Sequence, residues 1–322
     1  MKKIKVLGLI LSAVALAAFF MACSNPAGSD GGRRDQGDIR FTVTFNSNGG
    51  TDTPTAQLGL ARGARVVEPA DPAREPAGWF NFMGWYSDIN LTNRWNFAAS
   101  TVTADTTLFA RWALTDNAGE VGDLGPGTPG PGGPGGGLGG TGTIFYRRDA
   151  GFIMADTNER AFFLVVAPVH ADTSVSFSDP FPSAPPHRLI PRLSQYETDT
   201  TDRTIGRGRL NTAIILYYGI NGVPGCGMPF ATPAATAANS FSSGGHNDWF
   251  LPSKYELIEL YDQAGGTSPN ITLNTNFQHF QSSSQANVNH VWRGMFHIPS
   301  ANWIAGSKCY GASNHARPIR AF

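Results

Sequence analysis

The chain has 322 residues, with 38 Gly, 22 Pro, 15% charged, 41% hydrophobic and 11% aromatic residues. So much Gly and Pro with so little charge argues against a coiled coil, and the apolar content argues against a charge-driven disordered chain. Lys plus Arg equals Asp plus Glu at 24 each, so the basic field that a nucleic-acid binder carries is missing.

Met1–Lys5 holds Lys2, Lys3 and Lys5, and a charge-free apolar run, Val6–Ala22, follows. A basic start, a short apolar stretch and small residues at its end describe a secretory signal. An uncleaved membrane anchor is the alternative. At 1.5 Å per residue the run spans only about 26 Å, short for a hydrocarbon core of about 30 Å. Phe20-Met21-Ala22-Cys23 resembles the lipobox of a bacterial lipoprotein, with Phe20 where Leu is usual. The resemblance implies cleavage before Cys23, its acylation by palmitate-type chains, and a membrane partnership through that anchor. Two or more chains give stable anchoring where one is marginal. Ser24 after the cysteine resembles lipoproteins that reach the outer membrane or cell surface.

Residues 23–39 read as a polar tether rich in Gly, Asp and Arg. Residues 40–113 form a first folding unit. Phe41–Phe45 alternates apolar and polar side chains, the period of a half-buried strand. Asn48-Gly49-Gly50 is a turn signal. Phe82–Tyr86 and Thr107–Trp112 read as further strands. The run Val43–Gly50, Gly84-Trp85-Tyr86 and Thr107–Trp112 resembles the internalin-B B-repeat, also called the Listeria–Bacteroides repeat. That family implies a small β-grasp-like domain of bacterial surface proteins, a spacer or adhesive module without catalysis. Its aromatics are expected in the core, because a domain this small needs most of its large side chains inside.

Residues 114–142 read as a Gly/Pro-rich linker. Gly recurs every third position from Gly127 to Gly142, but five triplets are too few for a collagen triple helix and Gly falls at other positions too. A flexible chain of this length has a reach of about 25–30 Å.

Residues 143–322 form the second unit. Thr143–Tyr146 and Gly151–Met154 read as paired strands, and the unbroken apolar run Ala161–Ala167 as a buried one. Leu210–Tyr217 and Pro233–Phe241 are candidate helices, the second with Thr232 as a cap before Pro233. Ser253–Ala264 is the clearest helix. Ser253 and Glu256 have capping-box spacing, Leu257, Leu260, Tyr261 and Ala264 share a face, and Gly265-Gly266 is the stop signal. Val291–Phe296, Asn302–Ala305 and Ala316–Phe322 read as later strands.

Several of these residues carry a second resemblance. Gly245, Asp248-Trp249, Leu251-Pro252, Glu256-Leu257, Leu260-Tyr261, Ser282-Ser283-Ser284, Trp292, Lys308 and Arg317–Arg320 are similar to the pattern of the Lcl C-terminal domain family, whose function is unknown. Asn211-Thr212-Ala213 matches its upstream element, and Phe280-Gln281 stands where Tyr-Trp is usual. Endings such as Ile-Arg-Ala-Phe after a Gly-rich linker resemble spirochaete lipoproteins. The family implies a mixed α+β domain related to C-type-lectin-like and formylglycine-generating folds. The fold class expected for the whole chain is therefore α+β.

The chemistry-bearing residues point away from catalysis. Cys226 and Cys309 remain beyond the anchor, and an exported chain meets oxidising conditions. A bridge between them would close a loop of about 83 residues, worth roughly 4 kcal/mol in the chain-entropy model; two buried thiols are the alternative. Their separation does not match the closely spaced cysteines of formylglycine-generating enzymes. The seven histidines form no HExxH motif and read as separate surface residues. Asp248 reads as structural rather than as a calcium ligand. No metal, cofactor or catalytic residue is expected. Arg203, Arg207 and Arg209 are the candidate ligand-binding residues, because guanidinium forks suit the planar anionic groups of sulfated glycans. The expected function is a non-enzymatic surface adhesin for a glycan or matrix protein, with a structural envelope spacer as the alternative and an enzyme of the formylglycine-generating type as a second one.

Overall fold

The computed structural model describes residues 39–121, 123, 125, 142–172, 175–178, 189–193, 205–224, 229–266, 278–287, 289–296, 301–308 and 314–322. The fold is α+β, mostly sheet with few helices. Among the described residues no helix is long and apolar enough to cross a membrane.

The first sheet holds β1 (Arg40–Asn46), β2 (Gln57–Ala61), β3 (Phe80–Tyr86) and β4 (Thr106–Leu114) in the order β2-β1-β4-β3. The alternation of β1 buries Val43 and Phe45 while Thr44 faces solvent, as a period-2 strand requires. β1 and β4 run parallel at the centre, and the two outer pairs are antiparallel. A bulge between Phe82 and Trp85 lets β3 bury Trp85 beside Phe45, with ring centroids 5.0 Å apart. β2 has weak sequence periodicity and only its hydrogen bonds to β1 define it.

The second sheet joins β5 (Thr143–Ile153), β6 (Arg160–Val166) and β11 (Ile319–Ala321) in the order β11-β6-β5. β5 is one continuous bulged strand, where the sequence suggested two strands around a turn; its partner β6 is long enough to pair with both ends. The third sheet has the order β10-β7-β8-β9, built from β7 (Gln278–Gln285), β8 (His290–Phe296), β9 (Ala301–Ser307) and β10 (Asn314–His315). The expected strand Ala316–Phe322 is confined to β11, because Pro318 has no amide hydrogen to donate to a ladder.

Among the described residues there are three helices: α1 (Gly208–Asn221), α2 (Pro233–Asn239) and α3 (Lys254–Gly266). α3 packs on β5, β7 and β8, burying Leu257 and Leu260 completely. Its last turn includes Gly265 and Gly266, so the glycines lie inside the helix rather than beyond it. The capping box forms: Ser253 N donates to Glu256 Oε2 at 2.8 Å and Glu256 N to Ser253 Oγ at 3.3 Å.

Arg40–Phe322 forms one compact unit. Val43, Phe45, Trp85 and Trp112 of the first sheet share a hydrophobic cluster with Ile144, Phe162, Phe163 and Trp249. Ring edges meet across the seam, Phe80 with Phe162 at 5.3 Å and Trp79 with Phe163 at 5.4 Å. Burying an aromatic of this size contributes about 1.5–3 kcal/mol. At the described ends of the Gly/Pro-rich segment, Gly125 N donates to Gly142 O at 2.9 Å. The described ends of the segment, Gly125 and Gly142, are therefore neighbours.

Candidate functional site

The seam is built on the turn after β1. Asn48 and Gly49 both have positive φ, 52° and 90°, a conformation that Asn and Gly accept most readily. The turn aims its polar groups at the second half of the chain. Asn48 Oδ1 accepts from Arg160 N at 2.7 Å, and Asn48 Nδ2 donates to Ala110 O at 3.0 Å. Trp112 Nε1 donates to Ser47 O at 2.9 Å.

Arg74 fills the space beneath this turn. It donates to Asn48 O and, at 2.7 Å, to Arg160 O. Its guanidinium lies 4.7 Å from the Phe80 ring centroid and 5.0 Å from that of Phe162. Burial lowers its pKa to about 10, with Glu159 opposing and Arg160 adding to the shift. A Cβ at Gly49 would stand 2.6 Å from Arg74 Nη1, so the approach of the cation to the turn requires glycine there.

Beside Arg74 a cleft of about 240 Å³ opens between the halves, lined among others by Arg160, Arg209, Arg320, Glu75, Glu159 and Asp248. Two of its arginines are neutralised in place. Arg320 forms a fork with Asp248 at 2.9 and 3.1 Å, and Arg209 a fork with Asp156 at 2.6 and 3.1 Å. Arg160 differs. It donates from Nη1 to Ala150 O at 2.6 Å, and among the described residues its buried Nε has no acceptor and it makes no ion pair. Burial, then Arg148 and Arg111, lower its pKa. Arg160 therefore stands in the cleft without a carboxylate partner among the described residues, although Glu75 and Glu159 share the lining, and an anion against it would offset its repulsion with Arg148 and Arg111.

Of the candidate residues read from the sequence, Arg209 lines this cleft. Arg207 precedes α1, accepts Asn211 N at its carbonyl, and has a buried Nε without an acceptor; it is not among the lining residues. Arg203, Cys23, Cys226 and Cys309 lie outside the described residues. Sequence reading missed Arg74 and Arg160, which sit in an aperiodic Pro-rich stretch and at the head of an apolar strand. The one sequence signal near them is the Asn-Gly-Gly turn.

The residues of the second resemblance are spent on framework. Glu256 is fully buried and, besides Ser253 N, accepts Gly206 N at 2.9 Å and Gly208 N at 3.3 Å. Burial raises its pKa and these hydrogen bonds oppose the rise. Ser284 Oγ accepts Lys254 N at 3.0 Å, and Lys308 Nζ donates to Gln285 Oε1 at 3.1 Å. Burial lowers the Arg317 pKa to about 10.

The reading of the histidines as separate surface residues is corrected for His170, His279 and His315. His170 and His315 have ring centroids 4.7 Å apart, and both pack on Phe280. The cause is register: β10 pairs parallel to β7, setting His315 against Phe280 and Asn314 against His279. Burial, then His279, lowers the His315 pKa. Among the described residues no group of three or more His, Cys, Asp or Glu side chains is placed to hold a metal.

Comparison with known proteins bears on one segment near the amino terminus. Residues 41–111 match the Listeria-Bacteroides repeat domain family and are a domain of that kind. Two relatives from Evansella cellulosilytica carry the provisional names membrane protein and Gly-rich membrane protein. They are 37% and 38% identical over 76 and 74 residues, or 24% and 23% of this chain. The chain spans only 11% and 8% of their lengths. A fimbrial protein from Bacteroides ovatus aligns with a TM-score of 0.36 at 14% identity, over 88% of this chain and 70% of its own.

Proposed function

We propose that this chain is a non-catalytic binding protein of the bacterial cell envelope, tethered through an acylated Cys23 and displaying Arg40–Phe322 as its binding head. The ligand class is an anionic glycan or a matrix protein that presents such groups, bound at the seam. The observation that carries the reading is the cleft where Arg160, without a carboxylate partner, stands near Arg209 and Arg320. A planar anion would satisfy forked donors there. The names of the relatives support an envelope location, and the repeat domain supports a surface module. The strand order β2-β1-β4-β3 with its parallel central pair supports a β-grasp-like first domain. Closure of the second sheet by the last strand supports a lectin-like second one. The absorption of Asp248, Glu256, Ser284 and Lys308 into internal hydrogen bonds supports binding rather than turnover.

The test is an array of sulfated polysaccharides, uronate oligomers and matrix proteins probed with the full chain. Saturable binding is expected. It should weaken with rising salt and fall at least tenfold in an Arg160→Ala, Arg209→Ala double variant with an unchanged far-UV spectrum. Absence of binding to every anionic probe would reject the seam as the site.

A further inference from the structure

A second surface lies on the repeat domain, away from the arginines of the seam. Two adjoining hollows of about 320 and 490 Å³ share Glu68, Arg94, Trp95 and Phe97. The first hollow is also lined by Phe82, Met83 and Trp85. Trp95, Phe97 and Phe82 are half-buried, packed on one side against the core with part of each residue exposed. Met83, 43% exposed, stands beside them. These residues come from β3, an edge strand, and from the turn that follows it. Trp95 N donates to Trp85 O at 2.8 Å and fixes that turn against the strand.

The rim is polar and unspent. Arg94, Glu68 and Asp71 are exposed, and among the described residues none of them makes a side-chain hydrogen bond or ion pair. Arg94 also lies close over the backbone of Gly84, where a Cβ would come within 3.0 Å of its Nε. The guanidinium thus lies beside the strand at the mouth of the groove. Trp85, 2% exposed, and Trp95 both have buried indole N–H groups without an acceptor. Both residues line the first hollow, and buried donors in native proteins nearly always have partners.

We propose that this groove binds a neutral oligosaccharide of two to three sugar units. Aromatic faces match the apolar C–H faces of pyranose rings. The rim offers a guanidinium donor fork and two carboxylate acceptors, and each sugar hydroxyl both donates and accepts. One guanidinium against two carboxylates gives the rim a net negative charge, which disfavours the polyanions that the seam would attract. A proline-rich peptide also favours aromatic grooves, but its prolines have no N–H to offer Glu68 and Asp71. The combined hollow falls within the size of small-ligand sites. The site is independent of the seam, because the two share no lining residue.

The experiment is calorimetric titration of the full chain with cellohexaose, chitohexaose, mannohexaose and decaproline. Saturable binding of at least one oligosaccharide is expected, with a shift in tryptophan emission. Trp95→Ala and, separately, Arg94→Ala should each weaken it at least tenfold. Arg94→Ala removes an exposed side chain without internal bonds, so its thermal midpoint should stay at the wild-type value even if Trp95→Ala lowers that of its own variant. Arg160→Ala should leave the titration unchanged. The proposal is overturned if none of the three oligosaccharides binds, if Arg94→Ala leaves binding intact, or if decaproline alone binds.

Discussion

His315 shows how a single side chain acquires a role from its surroundings. Its ring is 8% exposed and touches His170 and Phe280, with His279 near enough to disfavour its protonation. The folded-state pKa therefore lies below the ordinary 6.5. The unfolded chain takes up the proton first as pH falls, so stability is full above about 6.5 and is lost as pH drops through the lowered value. Thermal midpoints measured from pH 7.5 to 5 should fall for the wild type. They should fall less for His315→Leu, which removes the titrating group; equal slopes in the two proteins would contradict this account. Arg74 is the complementary case, a cation kept in a buried site by two backbone carbonyls and two aromatic faces. Neither environment is written in the residue's own neighbours along the chain.

Elements are joined by side chains that serve two of them at once. Glu256 belongs to the first turn of α3, yet it also accepts the backbone N–H groups of Gly206 and Gly208 where α1 begins. One carboxylate therefore satisfies the open donors of two helix starts. Glu256→Ala would leave three buried amides without an acceptor, a cost of roughly 3–5 kcal/mol, measurable by urea denaturation. Ser253→Ala, which removes one half of the capping box, should cost only about 1 kcal/mol. The capping box was legible as a Ser-x-x-Glu spacing; the reach of Glu256 to α1 was not, because it spans 50 residues. Similarly, β5 was read as two strands because Arg147–Ala150 is polar, and only the pairing partner β6 shows that one bulged strand runs through it. β7 escaped reading altogether, since Gln281–Gln285 is polar yet buried, held by bonds such as Ser282 Oγ to Trp292 O at 2.6 Å.

At the scale of the whole molecule the shared core governs behaviour. Phe80, Trp79, Phe162 and Phe163 interlock across the seam, and Asn48 and Arg74 add hydrogen bonds over it. The Arg40–Phe322 body is expected to unfold in one calorimetric transition, with calorimetric and van't Hoff enthalpies in agreement. Phe80→Ala should lower stability by about 3 kcal/mol and split that transition, because it opens a cavity at the seam. Two resolved transitions in the wild type would show that the halves are energetically separate. By itself the sequence determined the repeat domain, the strands with clean alternation, α3 with its cap, and the α+β class, since these follow from local periodicity and turn chemistry. Only the tertiary structure decided that the halves share a core, that Arg160 lacks a carboxylate, and that Trp95 and Arg94 face an open groove. Those features depend on contacts between residues far apart in the chain, and periodicity carries no information about which distant surface a side chain will meet.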